Sequence, residues 1–328
     1  MYNISVSPHI HSKESISRIM WDVVIALIPA LLASIYFFGM RAFWMEVVTV
    51  IAAVLSEIFI KLLLKRKITI SDGSAVVTGL LVAYNMPVGA PFYVPVVGAV
   101  FAIVIVKELF GGLGNNIFNP ALAGRVFVMF AWLPEMTTWH APLKSGWWQH
   151  GFNFFSAKLD AVTTATPLAV AKLQGLSNLV AQFSDKADMY WNLFIGNCGG
   201  CIGETSALAL LIGALYLLKR KVIIPVIPVT YIATVFVVTY LAGADPVFHI
   251  LAGGLMLGAF FMATDYVTTP ITIKGMIIFG IGAGLMTVLL RLKGGLPEGV
   301  SFSILLMNTL SPLIDRYTAK RKIYGYKK

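Results

Sequence analysis

The sequence predicts an all-α polytopic membrane protein, with about ten transmembrane helices arranged as two inverted five-helix repeats. Three observations carry that prediction. Hydrophobic residues make up 58% of the 328 and charged residues only 12%, against roughly 25% charged in a soluble domain. Ten apolar segments recur along the chain, most of them long enough to cross about 30 Å of hydrocarbon as tilted helices. The two halves also share landmarks at one offset. Pro87 and Pro270 are 183 residues apart, and so are Gly111-Gly112-Leu113 and Gly294-Gly295-Leu296.

In order, the first five segments run near 19–38, 43–64, 74–86, 93–110 and 118–133. The second five run near 202–218, 223–242, 248–263, 276–290 and 301–314. The third, fifth, eighth and tenth are short and are interrupted by Gly, Asn or Pro. Five helices per unit is an odd number, so the second unit must run inverted relative to the first. Interrupted helices in corresponding places of such repeats mark the binding site, so these four are expected to meet around a central cavity. The chain then divides into a first repeat (1–133), a polar extracytoplasmic loop (134–201) and a second repeat with a basic tail (202–328).

Lysine and arginine set the orientation. With the start of the chain in the cytoplasm, inner loops collect Lys65, Arg66, Lys67, Lys107, Lys219, Arg220, Lys221, Lys274 and the tail from Arg316 to Lys328. Short outer loops hold Arg41, Arg291 and Lys293. This positive-inside bias places both termini in the cytoplasm and 134–201 outside. The net charge of +10 is thereby accounted for by topology and anionic lipid, with no nucleic-acid partner. The polar first residues lack an apolar core preceded by basic ones, so no cleavable signal is expected there.

Ionisable groups inside a bilayer are functional candidates by default. Asp22, Glu57, Asp72, Glu108, Arg125, Glu204, Asp245 and Asp265 fall in or near apolar segments. Glu108, Arg125 and Glu204 lie deeper or beside glycine, and are the candidates for an ion path. Arg125 is a possible partner of Glu108. Asn115, Asn116 and Asn119 precede Pro120; their amides can cap a helix or bind the edge of a ring, and both readings stand. Cys198-Gly-Gly-Cys201 offers a disulfide, two thiols, or half of a shared site. A metal is not expected, because two ligands fall short of the usual four. No phosphate loop, dinucleotide fingerprint or hydrolase triad is visible, so no catalytic residue is assigned.

The long polar interval holds Asp-Ala-Val-Thr-Thr-Ala-Thr-Pro at 160–167. Pro167 biases Thr166 towards an extended backbone, and the hydroxyl is expected to face solvent. Such a hydroxyl can accept a phosphate ester; a Thr-rich turn without chemistry fits the same residues.

This stretch resembles the flavinylation motif Asp-x-x-(Ser/Thr)-Gly-Ala-Thr, with Thr164 standing in the glycine place. The resemblance to the RnfD and NqrB membrane subunits of ion-translocating redox complexes runs essentially from end to end. It includes Ser-Pro-His-Ile-His-Ser-Lys at 7–13, Ser-Asp-Gly-Ser-Ala at 71–75, Gly-Gly-Leu-Gly-Asn-Asn-Ile-Phe-Asn-Pro at 111–120 and Ile-Gly-Glu-Thr-Ser at 202–206. The short start is similar to the RnfD branch. The resemblance implies FMN esterified to Thr166 by a flavin transferase, with Asp160 and Thr163 as motif residues. It also implies a second, non-covalent flavin (riboflavin or FMN), for which Asn116 and Asn119 are candidates. By the same resemblance, the complex passes electrons between ferredoxin and NAD while moving Na⁺ or H⁺ across a bacterial plasma membrane, and the NAD and ferredoxin sites belong to partner subunits. The rivals are a quinone-linked NqrB-type subunit and a flavin-free transporter or channel.

Overall fold

The computed structural model describes residues 15–142, 165–295 and 298–319. Asp160, Thr163, the 7–13 stretch and the basic tail beyond residue 319 lie outside the described residues. All named elements among those described are helical.

Helix α1 (Ile16–Phe38) is started by Ser15, whose hydroxyl accepts the Arg18 N–H. It ends at Gly39, whose φ of 74° only glycine adopts at little cost. That single residue reverses the chain into α2 (Met40–Leu63). Leu32, Leu55 and Phe59 stand exposed along this pair, as expected of helices that meet lipid. With α14 (Ile273–Lys293), these are three helices among the described residues long and apolar enough to cross a membrane.

The other segments are broken, and the breaks are answered by protein. Helix α3 (Ser74–Tyr84) stops at buried Asn85. Helix α4 (Tyr93–Val100) widens into a π-helical stretch, Phe101–Glu108. Helix α5 (Pro120–Ala131) has Pro120 in its first turn and Asn119 as its cap. Four short helices follow: α6 (Leu133–Thr137), α7 (Pro167–Gln174), α8 (Leu176–Val180) and α9 (Lys186–Ile195). The second half contains α10 (Ala207–Lys219), α11 (Val226–Leu241), α12 (Pro246–Leu251), α13 (Leu255–Leu257) with a π-helical continuation Gly258–Met262, then α14 and α15 (Val300–Thr318).

Two of the expected segments differ in extent. The sixth is helical only from Ala207, because Ser206 caps it by accepting the Ala209 N–H. The irregular chain before it pairs with the irregular end of α3: Ile202 N–H donates to Met86 O and Gly203 N–H to Tyr84 O, at 3.0 and 3.1 Å. The eighth breaks at 252–254 between α12 and α13. Bare backbone at membrane depth must be satisfied inside the protein. Arg291 does this by donating to the carbonyls of His249, Ala252 and Glu298. Arg41 does the same for Val88, Gly89 and Ala90. Two arginines expected at the poorly basic end are therefore backbone clamps.

Corresponding helices pack antiparallel, as inversion requires. Near the start of α1, Asp22 accepts from Arg220, just beyond the end of α10, at 2.9 Å. Phe130 at the end of α5 lies edge-on to Phe302 at the start of α15, with centroids 5.8 Å apart. The 183-residue offset relates α1 to α10 and α5 to α15. Around this axis α2 packs on α4 as α11 packs on α14. The four interrupted segments meet at the centre. Asn85 and Arg125 join α3 to α5, Ser301 joins α15, and Asn119 Nδ2 donates to Met262 O at 3.2 Å.

Candidate functional site

At the molecular centre, one face of α5 carries Arg125, 3% exposed. Its Nη1 lies 2.8 Å from Glu204 Oε1, 2.7 Å from Asn85 Oδ1 and 3.0 Å from Ser301 Oγ. Its Nη2 bonds Glu298 and lies 3.6 Å from Cys201 Sγ. Donor atoms of Cys201, Glu204 and Glu298 fall within 4.8 Å of one another, a spacing a metal can bridge. Here the guanidinium supplies the positive charge instead. Both cysteines are free thiols. Cys201 Sγ also reaches Asn85 O at 3.3 Å.

A second buried cluster lies at the end of the bundle where Lys61, Arg66 and Lys107 gather around Glu57 and Glu108. Lys107 bonds Glu57 at 2.8 Å and the Ser74 hydroxyl at 2.6 Å. Lys61 bonds Glu57 and Thr69 Oγ1. Glu108 is fully buried, 3.6 Å from Lys61 and 3.9 Å from Arg66. Neither of its carboxylate oxygens has a hydrogen bond among the described residues. The possible Glu108–Arg125 pair does not form, because the two residues belong to different clusters. The π-helical stretch explains why adjacent Lys107 and Glu108 both turn inward. Leu109 N–H reaches back five residues to Val104 O, and such widened turns recur at functional sites.

Beside this cluster a cleft of about 100 Å³ is lined by Ser74, Lys107, Asn116, Asn119, Phe260 and Asp265, among others. Asn119 Oδ1 accepts from the N–H groups of Ala121 and Leu122, so it is a helix cap. Asn116 Nδ2 donates to Phe118 O at 3.0 Å. Of the two readings of these amides, capping is the one observed for Asn119; both residues still line the cleft.

At the opposite end, Thr166 caps α7. Its backbone is extended (φ −61°, ψ 152°) and its Oγ1 accepts from Ala169 N–H. The expectation of a solvent-facing hydroxyl is corrected: Thr166 is 5% exposed. The Thr-Pro pair that extends its backbone also starts a helix that folds down onto α12 and the 198–205 turn. Thr166 shares a small cavity of about 20 Å³ with Cys198, Glu204, Thr205, Gly253 and Glu298. Nearby, Asp245 caps α12 and accepts from Tyr190 and Lys186. The hydrogen bond to Asp245 pushes the Lys186 ammonium up to about 12.

Among the site residues foreseen from sequence, Arg125 and Glu204 come together, and Glu204 reaches the Thr166 cavity. Glu108 stands apart with Glu57, Lys61 and Lys107. Asn85, Glu298 and Cys201 were missed as members of the centre. Glu298 sits in a Gly/Pro-rich loop, where hydropathy gives no signal. Asn85 marked a helix end, which was legible, but its partner was not.

The profile of the NQR2, RnfD, RnfE family matches residues 3–324. The chain belongs to that family. Within it, the D-type subunit of the proton-translocating ferredoxin:NAD(+) oxidoreductase complex of Clostridium ljungdahlii is 48% identical over 97% of this chain and 95% of its own length. Its counterpart in the Na(+)-translocating complex of Acetobacterium woodii is 49% identical over 99% and 96%. The corresponding subunit of the ion-translocating oxidoreductase complex of Aliivibrio salmonicida is 37% identical over 99% of both chains.

Proposed function

We propose that this chain is the D-type membrane subunit of an ion-translocating ferredoxin:NAD⁺ oxidoreductase, carrying FMN as a phosphoester on Thr166. The observation that carries this reading is the near-full-length match, at 48% and 49% identity, to the D-type subunits of two complexes of that activity. Those two relatives differ in the ion they move, and the identities are level. The coupling ion is accordingly Na⁺ or H⁺.

The residues present fit a covalent flavin. Thr166 Oγ1 serves its helix as an acceptor, and an ester oxygen retains a lone pair for that cap. The start of α7 offers backbone N–H groups and the positive end of a helix dipole to the remaining phosphate charge. Because the hydroxyl is enclosed, a flavin transferase reaches it before α7 docks. A bound flavin supplies one- and two-electron transfer; the protein's part is to place it and exclude water. The cleft lined by Asn116, Asn119 and Asp265, with amides beside apolar walls, is the candidate place of a second, non-covalent flavin. Glu108, whose buried carboxylate has no hydrogen bond among the described residues, is the first candidate on the ion path. Its neighbours Lys61 and Arg66 balance its charge when no ion is near.

Other membrane and peripheral subunits supply the ferredoxin and NAD sites. The chain lies in the bacterial plasma membrane, with both termini in the cytoplasm. Inverted membrane vesicles provide the test. Vesicles from cells lacking this subunit lose ferredoxin-driven NAD⁺ reduction and ion uptake together, and the restored chain returns both. Undiminished activity in its absence contradicts the assignment.

A further inference from the structure

We infer that the cleft between α7, α12 and α14 is the docking place of the flavin ring carried by Thr166, with His249 as the residue that positions it. This inference rests on the flavinylation reading above. The cleft has a volume of about 320 Å³, at the lower end of the range of small-molecule sites. Leu168, Ala171 and Lys172 form its α7 wall, and Phe248, His249 and Arg291 stand opposite. Leu168 lines both this cleft and the Thr166 cavity, so the two spaces adjoin.

Three features match the cleft to a ring tethered at Thr166. The first is reach. Leu168, Ala171 and Lys172 are spaced to share one helix face, and Lys172 lies six residues beyond Thr166, a rise of roughly 9 Å. That is comparable with an extended phosphoribityl arm. The second is charge. The Thr166 cavity is lined by Glu204 and Glu298, two carboxylates that share the single guanidinium of Arg125 and so disfavour an electron-rich ring edge. The larger cleft offers Lys172 and Arg291. Its one carboxylate, Asp245, is already engaged by Lys186 and Tyr190.

The third feature is His249. It is 9% exposed, forms part of the cleft wall, and its Nδ1 has no hydrogen-bond partner among the described residues. A buried polar nitrogen without a partner is costly and calls for an explanation. It also leaves the imidazole uncommitted to either tautomer. The imidazole can then donate to a ring carbonyl or accept from a ring N–H. Its backbone is fixed meanwhile, because His249 O accepts from Arg291. Phe248 supplies an apolar ring on the same short helix.

The experiment compares His249→Gln and Ala171→Trp with the unsubstituted subunit in its assembled complex. Flavin fluorescence of the denatured band reports attachment. Iodide quenching and the visible absorption spectrum of the native protein report the ring's surroundings. Attachment is expected to be equal in all three. Ala171→Trp fills the cleft and should raise the quenching constant several-fold. His249→Gln should shift the absorption maximum and the flavin midpoint potential with the ring still shielded. Equal bands with unchanged quenching and spectra in both variants overturn the cleft assignment. The same result with a phospholipid lost from both variants gives the cleft to lipid instead, and equally overturns it. A dark band in the unsubstituted protein contradicts flavin on Thr166 itself, which separates the two failures.

Discussion

Arg125 shows how a residue can be legible as important and illegible in role. A guanidinium in an apolar segment is conspicuous in any sequence. Its partners Glu204 and Glu298 lie 79 and 173 residues away along the chain, and hydropathy has no means of pairing them. The physical consequence is a strong dependence of each charge on the others. Arg125→Met leaves two buried carboxylates unanswered, and loss of one buried partner costs about 3–5 kcal/mol. Thermal unfolding in detergent should show that loss, whereas Arg66→Met, with a half-exposed side chain at 42%, should change stability little. Glu108 separates ion passage from structure. Its carboxylate makes no hydrogen bond among the described residues, so Glu108→Gln should leave the amount of assembled complex unchanged while lowering electron-driven ion uptake in vesicles. Unchanged uptake removes Glu108 from the ion path.

At the scale of elements, apolar runs and turn residues placed the expected helices to within a few residues. What they could not give was the point at which a helix breaks. The break at 252–254 rests on Arg291 from another helix, and the late start of α10 rests on backbone pairing with residues 84–86. Local caps were readable: Asn119-Pro120 is a helix start in sequence and in structure. Asn119→Ala should cost about 1 kcal/mol of stability, measured by denaturation of the purified subunit. Close helix approach is a further element-scale device. A Cβ on Gly213 would overlap the Ala26 carbonyl, so α10 lies on α1 backbone to backbone, as small residues permit in membranes. Gly213→Leu should therefore lower the yield of folded protein, while Ile212→Leu, on an exposed position, should not.

For the whole molecule, the 183-residue offset was the most informative sequence signal, because a repeat fixes many helices at once. Its structural counterpart is the antiparallel seating of α1 on α10 and α5 on α15. That arrangement puts the Lys107–Glu108 cluster and Thr166 at opposite ends, with Arg125 between them. Cysteines placed at exposed Ser184 and Lys67 should accordingly react from opposite sides of the membrane, Ser184→Cys in intact cells and Lys67→Cys only after opening. Reaction of both from one side contradicts the orientation. The proposed function turns on one bond, between FMN and Thr166. Sequence supplied that residue through a motif, while its burial at a helix start came only from the fold. The most direct measurement is ultraviolet fluorescence of the denatured chain on a gel, after expression with the flavin transferase. The band should fluoresce, stay bright in Thr163→Ala and Thr164→Ala, and go dark in Thr166→Ala. A band that stays bright in Thr166→Ala, or no fluorescence in the unsubstituted chain, contradicts it.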